Sequence, residues 1–266
     1  MRQVTSAHRE NALHRDALYV AARAPRPGFT KSRLGNAIGH DAAAALYAAF
    51  VRDLAVRLRR SPVPVGWYVT PDDAWPELKQ LVSAGLPWDT FPSTVIVQPP
   101  GDWTERQCRL LSAGRARGER RTVLIASDSP QLGLEAIVEA FARLNRDDLV
   151  LGPTEDGGYY LVGVRTPTDS EAALPWEALA GVRMSTGTVL DEIVSRAGDL
   201  GLKMSLLAPT FDIDEAADLA RLIPLALQRD DLTATRAALR ALGLVPSGLE
   251  SGDRIAAPLL AVGGSR

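Results

Sequence analysis

Thr122-Val123-Leu124-Ile125-Ala126-Ser127-Asp128-Ser129-Pro130 is a short apolar run that stops on an acid. Thr, Val and Ile favour extended backbone, and no charge interrupts the run, so it reads as a strand covered on both faces. Strands of that kind sit in parallel sheets packed between helices. Asp128 then falls at the carboxyl end of its strand, where open α/β sheets bind their ligands.

The same pattern recurs on either side. Residues 17–22 are a second unbroken apolar strand, expected beside 122–126 in the middle of the sheet. Leu46, Phe50, Val51, Leu54 and Leu58 recur at helical spacing. Residues 63–69 and 94–98 read as strands, and 75–84 and 103–117 as helices. Leu134, Ile137, Val138, Phe141 and Leu144 mark a further helix. Strands at 149–151 and 159–164 flank a turn at 155–158, 186–197 is helical, and 204–207 is a late strand. Helices at 215–228 and 232–242 follow. Strands alternating with helices imply βαβ crossovers. The expected fold is a three-layer α/β/α sandwich with a mostly parallel sheet. One domain over residues 17–243 accounts for the pattern, with a flexible arm at 1–16 and a Gly-, Ser- and Pro-rich flexible tail at 244–266.

Composition excludes several function classes. A chain of 266 residues with 46% hydrophobic and 23% charged residues is ordinary globular material. A formal net charge of −2 gives no global pull toward nucleic acid or anionic membrane, so neither is expected as a partner. Cys108 is the single cysteine, which excludes a disulfide framework and a thiolate zinc site and points to a reducing, cytoplasmic setting. Of three histidines, His8 and His14 lie in the arm, leaving His40 alone at a helix start and little material for a histidine-based site. No apolar run approaches the roughly 20 residues a bilayer span needs, and residues 1–16 lack the apolar stretch of a secretion signal.

Four clusters hold residues that chemistry needs. Arg23-Ala24-Pro25-Arg26-Pro27-Gly28-Phe29-Thr30-Lys31-Ser32-Arg33-Leu34 places four cations directly after the first strand. Pro25 and Gly28 shape a turn whose backbone amides can face an anion, and Arg23, Arg26, Lys31 and Arg33 suit a di- or triphosphate. The stretch is neither a Walker loop nor a Gly-x-Gly-x-x-Gly fingerprint; a solvated surface loop is the plainer alternative. Asp128 is placed to hold Mg²⁺, which takes one or two carboxylates together with phosphate and water oxygens, or simply to cap the next helix. In Gly152-Pro153-Thr154-Glu155-Asp156-Gly157-Gly158-Tyr159-Tyr160, Gly157 and Gly158 allow a ligand to approach backbone and Asp156 could orient a substrate hydroxyl or a metal-bound water; an ordinary Asp-Gly hairpin explains the same letters. In Phe211-Asp212-Ile213-Asp214-Glu215-Ala216-Ala217-Asp218-Leu219, either Asp212 or Asp214 could complete a metal site opened by Asp128, or Asp214, Glu215 and Asp218 could cap the following helix and complement its dipole.

Taken in this order, the clusters resemble the rSAM/selenodomain-associated transferases, also called arsenosugar-biosynthesis glycosyltransferases, of the GT-A-like nucleotide-diphospho-sugar transferase superfamily. The matching residues are Ala24-Pro25, Lys31-Ser32-Arg33-Leu34, Gln98, Gly101-Asp102, Glu105-Arg106, Ser127 to Pro130, Gly152-Pro153, Asp156 to Tyr160, Asp212-Ile213-Asp214 and Asp218-Leu219. They cover most of the chain, from about residue 19 to 222. Ser129 departs from the family, which usually has Cys there. Lys31 to Leu34 also resembles the phospholactate guanylyltransferases of the same superfamily. The resemblance implies a GT-A-like fold and a cleft holding a nucleotide donor, Mg²⁺ or Mn²⁺, and a small-molecule acceptor; a homodimer is compatible with it. Lys31, Asp128 and Asp156 become the expected catalytic residues, and Asp128, Asp212 and Asp214 the expected metal ligands.

Two reactions compete. An NTP could lose pyrophosphate to a phosphate- or carboxylate-bearing acceptor, or a nucleotide sugar could give up its sugar. The basic loop suits a pyrophosphate leaving group, and Asp128 stands alone as Ser-Asp-Ser without a neighbouring Asp-x-Asp. The sequence therefore leans to nucleotidyl transfer, with glycosyl transfer as the alternative. A non-catalytic nucleotide-binding protein is the remote third reading.

Overall fold

The computed structural model describes residues 15–83, 94–169, 171–184 and 186–245. Most of the arm, with His8 and His14, and most of the tail lie outside them, as does the last residue of the helix expected at 75–84. Seven strands form one sheet: β1 (Arg15–Arg23), β2 (Val65–Thr70), β3 (Thr94–Val97), β4 (Glu119–Ala126), β5 (Leu149–Pro153), β6 (Tyr159–Arg165) and β7 (Met204–Leu206). Their order is β3-β2-β1-β4-β6-β5-β7. All pairings are parallel except those of β6, which runs antiparallel to β4 and β5. β1 and β4 are central neighbours in register from Ala17↔Thr122 to Ala21↔Ala126.

The helices are α1 (Ser32–Ile38), α2 (His40–Leu58), α3 (Trp75–Val82), α4 (Trp103–Ser112), α5 (Leu134–Arg143), α6 (Val189–Asp199), α7 (Leu219–Gln228) and α8 (Thr233–Ala241). Side chains that alternate along β1 separate into two cores. Leu18, Val20 and Ala22 pack with α2, α3, α5, α7 and α8 residues such as Phe50, Leu78, Ile137, Leu222 and Leu239. Ala17 and Tyr19 pack with Leu110 and Leu111 of α4 and Ile193 of α6. Unbroken apolar strands are what a sheet covered on both faces requires, and the result is the three-layer, GT-A-like α/β/α arrangement.

Several boundaries differ from the sequence reading by a few residues, among them β2, β4, β5 and α6, and four differences have a local reason. β1 begins at Arg15, because Asp16 takes a bidentate ion pair from Arg121 of β4. The loop expected over 23–39 contains α1, a seven-residue helix burying only Leu34 and Gly35, too few positions to show a period. α4 stops at Ser112 rather than near 117, where the chain turns through Gly114 and the left-handed Gly118 (φ 73°). The helix expected from 215 opens as a 3₁₀ turn at Ala216–Asp218 before α7. At the other end of the chain, Leu244 and Val245 pack on the core rather than joining the tail.

Candidate functional site

Because β1, β4, β5 and β7 are parallel, their carboxyl ends open on one edge of the sheet. A cavity of about 500 Å³ lies there. Asp128 follows β4; Asp212 and Asp214 follow β7. The trio offers ligand oxygens within 4.8 Å of one another. Backbone bonds bring the two segments together: Ile213 N–H donates to the Asp128 carbonyl at 3.2 Å, and Gln131 donates its side-chain amide to the Phe211 carbonyl. Asp218 accepts from the Asp214 and Glu215 amides at 2.8 and 2.7 Å and closes a capping box with Glu215, so these two residues do the capping and leave the Asp214 carboxylate to the cleft.

Lys31 sits inside this acidic group. Its Nζ lies 3.0 Å from Asp128 Oδ2 and 2.6 Å from Asp214 Oδ1, and its side chain is only 5% exposed. Burial alone would lower the Lys31 pKa, but Asp128 and Asp214 outweigh it and hold the ammonium above its usual value. For Asp214, burial pushes upward, but Lys31, Arg33 and Arg23 together outweigh it and leave the carboxyl below the usual carboxylate range. Among the described residues, no cation pairs with Asp212. Burial, then the charges of Asp128 and Asp214, push it up to about 6. The group is thus short of positive charge even with Lys31 in place.

Tyr47 fixes the floor. Its hydroxyl accepts the Arg23 amide at 3.0 Å and lies 2.7 Å from Ser127 Oγ, which donates to the Ala21 carbonyl at 2.7 Å. With its own proton committed to Ala21, Ser127 must accept from Tyr47, whose pKa burial raises. The ends of β1 and β4 are thereby pinned to α2 beside Asp128.

The remaining expected residues divide. Arg23, Arg33, Asp156 and Gly158 line the cavity; Pro25, Arg26, Gly28 and Gly157 do not. Arg26 turns to α3, bonding Glu77 at 2.8 Å and pairing with Asp73 at 3.1 Å. Gly157 (φ 88°) serves the fold, since a Cβ there would meet the Gly187 carbonyl oxygen at 2.2 Å. Asp156 accepts from Thr154 Oγ1 at 2.5 Å and the Gly158 amide at 3.1 Å, so it closes the β5–β6 turn while facing the cleft. The sequence reading did not single out Trp103, Gln107 or Met184, which line the far wall. Gln107 is buried and bonds the Tyr159 hydroxyl at 2.7 Å. Trp103 and Gln107 are four apart on α4, a spacing that marks a shared helix face but not a cleft.

Residues 54–186, half of the chain, match the model of a family described as "uncharacterized protein conserved in bacteria" (DUF2064), and the chain belongs to that family. No curated protein matches the sequence. Among solved structures, the chain is similar to a Desulfovibrio desulfuricans G20 protein named provisionally as a nucleotide-diphospho-sugar transferase. That similarity has 28% identity and a TM-score of 0.74 over 86% of this chain and 95% of that one. A cytidylyltransferase from Leptospira borgpetersenii serovar Hardjo-bovis (strain JB197) aligns at 14% identity and a TM-score of 0.49, over 91% and 99% of the two chains. Rv0371C of Mycobacterium tuberculosis H37Rv in complex with manganese aligns at 14% and 0.42, over 79% and 98%. At that degree of likeness neither of the last two speaks to this chain's chemistry. Among the described residues, no helix is long and apolar enough to cross a membrane.

Proposed function

We propose that the chain is a metal-dependent transferase that takes a nucleotide donor and passes part of it to a small acceptor. The observation that carries this reading is the convergence of Asp128, Asp212 and Asp214 within 4.8 Å at the mouth of the cavity, with Lys31 among them. Hard oxygen ligands at this spacing suit Mg²⁺ or Mn²⁺ after small side-chain shifts, since ligands of one Mg²⁺ each stand at about 2.1 Å. The raised Asp212 carboxyl fits too: burial raises it first, and the neighbouring Asp128 and Asp214 charges add to that. A divalent cation held there neutralises phosphate oxygens and stabilises a departing phosphate.

The chain's own residues supply the rest. Arg23 and Arg33 face the cleft and bind phosphate oxygens in the fork geometry of guanidinium. Lys31 adds a compact charge. Asp156, which lines the same cavity, orients the attacking group of the acceptor. In the reaction favoured here, an acceptor phosphate or carboxylate oxygen bonds to the α-phosphorus of an NTP, the bond to the β-phosphate oxygen breaks, and pyrophosphate leaves. Cations at the first strand's end suit that leaving group, which carries dense charge. The name of the Desulfovibrio relative favours a second reading, in which the anomeric carbon of a nucleotide sugar is attacked and a nucleoside diphosphate leaves. The resemblance to the rSAM/selenodomain-associated transferases accompanies either reading, as do a cytoplasmic setting and a single domain over residues 17–243. Product analysis with labelled donors separates the two: pyrophosphate from an NTP is expected. Release of a nucleoside diphosphate from a sugar donor, with no pyrophosphate from any NTP, would establish glycosyl transfer instead.

A further inference from the structure

We infer that Lys31 determines what the acidic trio accepts: its ammonium occupies the place of a free divalent cation and yields it only when a polyphosphate arrives to receive the displaced charge. The inference rests on the metal site proposed above and goes beyond it, because it fixes the ligand as the cation–polyphosphate complex rather than the bare ion.

Position is the first argument. Lys31 Nζ lies 3.0 Å from Asp128 Oδ2 and 2.6 Å from Asp214 Oδ1, between two of the three carboxylates that converge. An ammonium and a divalent cation cannot share those oxygens, since like charges a few ångströms apart in a partly buried site repel strongly. Backbone geometry is the second. Lys31 stands at the N-cap of α1 with φ 50° and ψ 46°, and it is the one non-glycine residue with positive φ among the described residues. A left-handed backbone is unfavourable for an L-residue other than glycine, and strain of that kind persists where surrounding contacts over-determine it. Here the contacts are the two ion pairs.

Charge balance is the third argument. Three carboxylates outnumber the Lys31 ammonium and the exposed Arg33 guanidinium, 3.9 Å from Asp214 Oδ2, so a cation is attracted. To enter alone, however, it must leave a buried ammonium without either partner, and an uncompensated buried charge is expensive. A phosphate oxygen removes that cost. Arg23 lines the same cavity, and no hydrogen bond or ion pair engages its guanidinium among the described residues; Arg33 lines it too, 61% exposed and loosely paired, 3.9 Å from Asp214 and 3.6 Å from Glu215. A polyphosphate drawn to these two arginines lies within the same cavity as Lys31 and can receive its ammonium. Cation and polyphosphate then bind with positive coupling through Lys31, and the coupling is reciprocal.

The test uses the full chain, Mn²⁺ and inorganic pyrophosphate. The chain has three lysines, Lys31, Lys79 and Lys203, so amine labelling read by mass spectrometry follows Lys31 against two internal references. In the wild type Lys31 is expected to be protected in buffer, labelled at saturating Mn²⁺, and protected again when pyrophosphate is added. Lys31→Met is expected to bind Mn²⁺ alone tighter by about tenfold or more, measured by electron paramagnetic resonance, and to gain less from pyrophosphate than the wild type. Lys31→Gln replaces it if the methionine variant does not fold, and the labelling experiment needs no variant. Equal Mn²⁺ affinity in wild type and variant, or Lys31 protection unchanged at saturating Mn²⁺, overturns the inference while leaving the metal site standing. Absence of Mn²⁺ binding from both proteins, with and without pyrophosphate, overturns the metal site as well.

Discussion

Asp212 is the least compensated carboxyl in the cleft, and its proton makes the site pH-sensitive. Raised to about 6 from an ordinary 3.8, it holds a proton more tightly in the folded chain than in the unfolded one. Its contribution to stability is therefore present below the ordinary value and is lost as pH rises through about 6. Without added metal, melting curves of Asp212→Asn should lose that decline relative to the wild type. A divalent cation competes with the same proton, so Mn²⁺ affinity should climb between about pH 5 and pH 7.5, and a flat profile would assign the proton elsewhere. Asp128→Asn keeps volume and removes charge. It should weaken Mn²⁺ binding on the order of 100-fold or more, since even outer partners of a metal are worth about 10–100-fold. The melting temperature should move little, because the residue is only half-buried and Lys31 keeps Asp214. Asp128 was legible in the sequence because it follows a buried apolar strand, and Asp212 and Asp214 because they stand two apart between the last strand and a helix. The partners of Lys31 were not: they lie 97 and 183 residues away, and only the crossovers bring them together. Arg26 carries the same letter as Arg23 but turns outward, because Glu77 and Asp73 wait on the neighbouring segment.

Helices and strands were readable where burial is long enough to impose a period. α2 buries Leu46, Phe50, Val51, Leu54 and Leu58, and its identity follows from them. α1 is too short for that, and the order of strands depends on pairings no local pattern records. The reversal of β6 was signalled by the Asp156-Gly157 turn, which joins it to β5 as a hairpin. How α8 is capped was invisible. Its own N-cap, Leu232, offers no side-chain bond, and Asp53 of α2 supplies one from across the interface, accepting the Ala234 and Thr235 amides at 2.8 and 2.7 Å. Asp53→Ala should orphan both amides and cost about 1–3 kcal/mol in denaturant unfolding. Mn²⁺ affinity should be unchanged, because α8 packs on the helical layer and contributes nothing to the cleft. A variant as stable as the wild type would remove this cross-helix cap from the account.

β1 and β4 supply side chains to both cores, so neither layer can be lost without the other. Calorimetry should accordingly show one unfolding transition, with equal calorimetric and van't Hoff enthalpies; two resolved transitions would argue against a single domain over residues 17–243. The cleft at the sheet's edge is the product of that same arrangement, and its proposed task is to hold a nucleotide together with a divalent cation. The most direct measurement is thermal stabilisation by a panel of nucleoside triphosphates and nucleotide sugars, each with Mn²⁺ and with chelator, on the wild type and Asp128→Asn. A donor present at ~100 times its Kd should stabilise the wild type with Mn²⁺ by about 2.7 kcal/mol, and should lose that effect both in chelator and in the variant. Equal stabilisation with chelator and with metal, or none from any nucleotide, would contradict the claim that this cleft binds its donor through Asp128, Asp212 and Asp214.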